Sequence, residues 1–139
     1  MGDNAGMTEQ TCATPSSMRP RIALYSHDTM GLGHIRRNTL IAQTLIQPPL
    51  SAQVLLVSGI RESGAFALPP GIDSITLPAY RKRPDGNYTA RALDMPLEQL
   101  VALRSQTILA ALTAFAPQLL IVDNVPRGAL SELDTVLPT

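Results

Sequence analysis

The residues best suited to chemistry in this chain are two histidines, two glycines and two arginines packed into SHDTMGLGHIRR. His27 and His34 flank a turn that carries Gly31 and Gly33, and Arg36 and Arg37 follow at once. Glycines permit a tight turn and let a ligand come close to the backbone. An imidazole takes up and releases a proton near neutrality. Arginines beside a glycine turn point to an anion. Proton transfer on a molecule that bears a negative group is the chemistry these types suggest.

The elements around the motif determine whether its residues can act together. Arg21 to Tyr25 (RIALY) is short and apolar enough for a buried strand, and Ser26 to Thr29 break it with polar side chains. A helix is expected from about Gly33 to Ile46, with Ile35, Leu40, Ile41, Leu45 and Ile46 forming its apolar stripe. Strand, glycine turn and helix start together make an anion cradle, because free N–H groups and the positive end of the helix dipole face the ligand. Arg36 and Arg37 fall in the first helical turn, where the dipole disfavours a cation. A bound anion is one physical reason to place them there.

With 139 residues, 45% hydrophobic and 16% charged, the chain suits one folded domain with an aliphatic core. Residues 1–19 lack periodicity and read as a disordered tail, and the domain is expected over 20–139. The net charge is zero, which implies no general attraction to nucleic acid or to a membrane. Charge is nevertheless uneven. Residues 19–37 hold four arginines against Asp28, and residues 81–91 hold Arg81, Lys82, Arg83 and Arg91 against Asp85, a net +3 in each. The single cysteine, Cys12, excludes an intrachain disulfide and a cysteine metal site. No apolar run approaches the ~20 residues of a membrane span, and the start lacks a secretory pattern, so the cytoplasm is the expected compartment. No metal-ligand cluster is present in the sequence, and no cofactor is expected.

Beyond the first helix, Pro48 and Pro49 break the chain and AQVLLVS (52–58) reads as a strand covered on both faces. Residues 61–67 could form a short helix, and residues 72–77 a third strand. Residues 78–93 show no clear period and read as a long loop, of the kind that is functional or disordered. Asp94, Pro96 and Glu98 mark a helix start, and Leu100, Val101, Ile108, Ala111, Leu112 and Phe115 repeat at helical spacing up to Pro117. QLLIV (118–122) is a fourth strand with Asp123 and Asn124 at its end, and residues 129–136 could start another helix.

Alternating strands and helices imply an α/β fold with an open parallel sheet. The expected order is 3-2-1-4, with ligands bound at the carboxyl ends of the strands where the order reverses. The loop with His27 and His34 then neighbours Asp123, and the basic segment with Arg81, Lys82 and Arg83 shares the same rim. A histidine, a carboxylate and excess positive charge along one edge suit a hydroxyl nucleophile on an anionic molecule.

SHDTMGLGHIRR, RKRPDGNY and VDNVPRG, in that order, resemble the N-terminal half of bacterial predicted glycosyltransferases of the GT-B fold. These are similar to the family 28 enzymes that add N-acetylglucosamine to lipid-linked muropeptide. The resemblance covers residues 19 to about 137. It implies a Rossmann-like acceptor-side domain, a nucleotide-sugar donor, a hydroxyl-bearing acceptor that carries phosphate in the lipid-linked cases, and a place at the inner face of the membrane for those. Where such enzymes act on small acceptors, a first-loop histidine and an aspartate after a later strand look like a base and its partner. The matching positions are His34 and Asp123. Where the acceptor is a lipid-linked diphosphate, the loop is instead thought to cradle phosphate. Gly31, Gly33, His34, Arg36 and Arg37 would then bind, and His27 is a second candidate for contact. The donor-site domain of such enzymes is absent from these 139 residues, so the chain alone is expected to be inactive.

A nicotinamide-binding domain fits less well. Gly31-x-Gly33-x-x-Arg36 supplies two of three glycines, and Val57-Ser58-Gly59 stands where an acidic residue is needed. A binding or recruiting subunit of a two-chain transferase is the non-catalytic alternative.

Overall fold

Four strands make one all-parallel sheet, ordered β3-β2-β1-β6, as the sequence pattern predicts. The computed structural model describes residues 18–27, 32–61, 65 and 67–138. In chain order they form β1 (Arg21–Ser26), α1 (Gly33–Leu45), β2 (Gln53–Ser58), β3 (Ile72–Thr76), β4 (Tyr80–Lys82), β5 (Tyr88–Ala90), α2 (Leu97–Phe115) and β6 (Leu119–Val122). A short 3-10 turn, Ala129–Ser131, follows. The tail expected over 1–19 lies, apart from exposed Met18 and Arg19, outside the described residues, as does most of the short helix expected over 61–67.

Side chains of a strand alternate between its two faces, so a central strand covered on both sides must be apolar throughout. Ile22 and Leu24 of β1 join Val54, Leu56, Ile35 and Ala42 in a core on the α1 side. Ala23 and Tyr25 face the other way and join Val57, Leu77, Ile108, Leu112 and Leu133 on the α2 side. The result is an α/β/α arrangement with β1 as its most enclosed strand.

Two sequence expectations need correction here. Leu40 does not belong to the apolar stripe of α1, being 65% exposed, while Ile35, Asn38, Thr39 and Ala42 face inward. Five positions beyond Ile35, Leu40 is rotated by about 140° around the helix. Residues 78–93 are also not one long loop, since β4 and β5 pair as an antiparallel hairpin with Tyr80 opposite Ala90 and Lys82 opposite Tyr88. The buried side of that hairpin, led by Tyr80, packs with Leu100, Val101 and Ala129.

A buried ion pair ties these parts together. Arg104 and Glu132 are both fully buried, and the guanidinium donates Nε–H to Oε2 and Nη2–H to Oε1, each at 2.7 Å. Nη1 reaches the carbonyl of Pro78 at 2.6 Å. The phenols of Tyr25 and Tyr80 donate to the same carboxylate, and the Arg104 guanidinium lies 4.1 Å from the centre of the Tyr80 ring. Ser105 Oγ holds the Glu132 carbonyl at 2.8 Å. This network joins β1, the segment after β3, the hairpin, α2 and the C-terminal segment.

The network also explains why residues 129–136 form no regular helix. Leu130 and Ser131 take left-handed backbone angles, Gly128 has φ 74°, and Glu132 is drawn under the sheet by Arg104. A Cβ on Gly128 would stand 2.7 Å from Leu133 Cγ and 3.0 Å from the Tyr25 hydroxyl, so packing also requires glycine there.

Removing one partner of a buried pair strands the other charge at a cost of about 3–5 kcal/mol. Glu132→Ala should therefore lower unfolding free energy by about that amount, measurable by urea denaturation. Burial, with the charge of Glu132 next, pushes the Tyr25 and Tyr80 phenols well above their ordinary value of 10.0. Their folded values exceed the unfolded ones, so the stability they contribute is complete below about pH 10 and is lost as pH rises through the folded range. Absorbance at 295 nm should show these two phenols ionising only as the fold is lost.

Candidate functional site

The site forms at the carboxyl rim of the sheet, where β1 and β6 end side by side. The N–H of Asp123 bonds the Tyr25 carbonyl at 3.0 Å, which extends the ladder one step past β6 and fixes the Asp123 backbone. Asn124 then takes a left-handed conformation, φ 73°, and turns the chain away. Across the rim, α1 begins at Gly33 without a side-chain cap and without an acidic residue in its first turn.

His34 and Asp123 are in direct contact. His34 Nδ1 lies 2.8 Å from Asp123 Oδ2. The second carboxylate oxygen, Oδ1, accepts from Arg37 Nη1 at 2.9 Å. Asp123 is the most enclosed of the three, with 10% of its side chain exposed against 29% for His34 and 61% for Arg37. A carboxylate on Nδ1 holds the proton there in the neutral ring and leaves Nε2 as the basic nitrogen. The arrangement can take a proton from a group docked at Nε2 and stabilise the cation that forms.

Arg37, at the fifth position of α1, has a partner within the chain, its guanidinium donating to Asp123 Oδ1. Arg36 is exposed and makes no ion pair among the described residues. Gly31 lies outside the described residues. Gly33 opens α1, and among the described residues outside its chain neighbours and its own helix backbone no atom lies within 4 Å of where its Cβ would stand. The His27 ring lies 5.5 Å from that of His34, tilted by 39°. Its carbonyl is pressed against β2, because a Cβ on Gly59 would stand 2.5 Å from His27 O and 2.9 Å from Arg104 Nη2.

The basic segment follows β3 as β4 and its turn, with Arg81, Lys82 and Arg83 exposed and Tyr80 buried. Arg81 Nη2 reaches the Arg91 carbonyl at 3.3 Å, and Lys82 Nζ stands 5.9 Å from the centre of the Tyr88 ring. Arg83 is exposed beside the Asp85–Asn87 turn. Nothing in this geometry brings Arg81, Lys82 or Arg83 into contact with His34 or Asp123.

No group of three or more His, Cys, Asp or Glu side chains among the described residues could hold a metal ion. None of the helices, over the same residues, is long and apolar enough to cross a membrane. The Arg37–Asp123 pair was not legible in the sequence, because spacing does not say which anion a cation near a helix start meets.

The neutral His34 ring should carry its proton on Nδ1. Nitrogen-15 NMR of the ring will report that tautomer in the native chain and a return toward the Nε2–H form, which free histidine favours, in Asp123→Ala.

Compared with protein-family models, with curated proteins and with solved structures, the chain matches none of them.

Proposed function

We propose that this chain is the acceptor-side domain of an inverting glycosyltransferase of the GT-B fold, with His34 as the base and Asp123 as its positioning partner. The contact of His34 Nδ1 with Asp123 Oδ2 at 2.8 Å carries the reading. It leaves Nε2 to accept a proton at the edge of a parallel sheet, where ligands of such sheets bind. The resemblance of SHDTMGLGHIRR, RKRPDGNY and VDNVPRG to that enzyme class supplies the substrate class.

In the reaction, an acceptor hydroxyl attacks the anomeric carbon of a nucleotide-sugar from the face opposite the leaving group. The new carbon–oxygen bond forms as the bond to the nucleoside diphosphate breaks, and that electron pair leaves with the phosphate. The hydroxyl proton passes to His34 Nε2, and Asp123 stabilises the imidazolium. Arg37 balances the Asp123 charge and limits its freedom to rotate. In this reading the exposed cations Arg36, Arg81, Lys82 and Arg83 attract an acceptor that bears phosphate by long-range charge rather than by contact at His34. The donor is held by a second domain or subunit. The cytoplasm, at the inner membrane face for lipid-linked acceptors, is the proposed setting.

The test uses the protein isolated through a tag on its own gene, with whatever donor-site domain or subunit accompanies it. Transfer from a panel of nucleotide-sugars should invert the anomeric configuration. His34→Ala should lower kcat by about 10²–10⁴-fold with an unchanged melting profile. Full turnover in that variant would return His34 to a structural role.

A further inference from the structure

The two edges of the parallel sheet are built differently. β3, at one edge, carries Asp73, Ser74 and Thr76, polar side chains of the kind that keep an outer strand from pairing with another chain. β6, at the other, reads Leu-Leu-Ile-Val, the pattern of a strand enclosed within a parallel sheet. Yet it is not enclosed. Leu119 is 50% exposed and Leu120, Ile121 and Val122 are only partly buried, whereas Ala23, Leu24 and Tyr25 beside them in β1 are fully buried. Among the described residues β6 pairs with β1 alone, so the N–H and C=O groups along its outer side have no ladder partner.

Apolar surface flanks that edge. Leu120 and Val122 lie on the α2 side with the partly buried Val136 and Leu137, and Ile121 lies on the α1 side. The complement of such an edge is an uncharged extended strand, apolar on both faces. Residues 1–17 match it poorly in sequence, Cys12-Ala13 being their longest apolar run. β6 itself matches it. Two copies can pair antiparallel about a twofold axis normal to the sheet, with Leu120 opposite Leu120. Leu119 then stands opposite Ile121 on the same face, and Gln118 opposite Val122. No charge opposes a like charge, and Asp123 lies beyond the paired segment, where it keeps its contacts with His34 and Arg37. A twofold pair of this kind occupies both apolar edges and closes, leaving the polar β3 edges outermost.

We propose that β6 is an interface with a second copy of this chain, which joins the two sheets edge to edge into one. Strands this short make a small interface, so reversible association is expected rather than an obligate dimer. The proposal stands on the sheet edge and does not rest on the glycosyl-transfer reading.

Sedimentation of the full chain over a concentration series is the test, with amide hydrogen exchange at the same concentrations. A monomer–dimer equilibrium should appear, and exchange at Leu119–Val122 should slow as the dimer fills. Leu119→Lys, at a half-exposed position, puts cations on the shared edge and should weaken the dimer by tenfold or more with an unchanged monomer melting profile. Asp73→Lys, on the β3 edge, should leave the dimer as it was. A folded chain that stays monomeric throughout the series would overturn the proposal. So would a dimer that survives Leu119→Lys, a dimer lost in folded Asp73→Lys, or association that leaves exchange at Leu119–Val122 unchanged.

Discussion

The ion pair between Arg104 and Glu132 is the constraint on which the rim of this domain depends. Two opposite charges with no exposure are tolerable only when every donor and acceptor is used. Here the carboxylate takes four hydrogen bonds, two from Arg104 and one from each of two tyrosines. The remaining Arg104 nitrogen holds the Pro78 carbonyl. Burial works against the Arg104 charge, and the hydrogen bonds and charge of Glu132 outweigh it, pushing the guanidinium above its ordinary range. Because these partners come from β1, α2, the hairpin and the segment after β6, the pair fixes how the loops leave the sheet. Gly59 shows how closely: its missing side chain leaves room for both the His27 carbonyl and Arg104.

On that platform the Asp123 carboxylate organises the candidate site. It divides its oxygens between His34 and Arg37, and it lies deeper than either. Partial burial strengthens both contacts relative to a fully solvated pair. The arginine shares the carboxylate with the imidazole, and the carboxylate sets which imidazole nitrogen faces outward. Both groups that contact it come from one helical turn, three residues apart, and so from one face of α1.

Much of this was legible in the sequence, and the reasons differ by element. Apolar runs bounded by Gly and Pro identified the four strands, and the parallel order that follows from them was enough to place Asp123 beside the first loop. The hairpin was not legible, because strands of three residues are too short to display alternation and its charges resemble those of a solvated loop. Arg104 was missed although it stands squarely on the buried stripe Leu100, Arg104, Ile108 and Leu112. A lone cation on such a stripe calls for a buried carboxylate, but spacing alone does not say that Glu132 supplies it. Arg37 was assigned to a ligand because sequence cannot show which of several anions a helix-start cation meets.

The central claim is that His34 and Asp123 act as one unit on a transferred proton. A double-mutant cycle on the proposed glycosyl transfer tests it most directly, comparing His34→Ala, Asp123→Asn and the pair in the protein isolated with its accompanying domain or subunit. A shared role predicts strong non-additivity, with Asp123→Asn costing almost nothing further once His34 is gone. Losses that multiply, each variant keeping its full effect in the presence of the other, would contradict the account and assign the two residues to separate tasks.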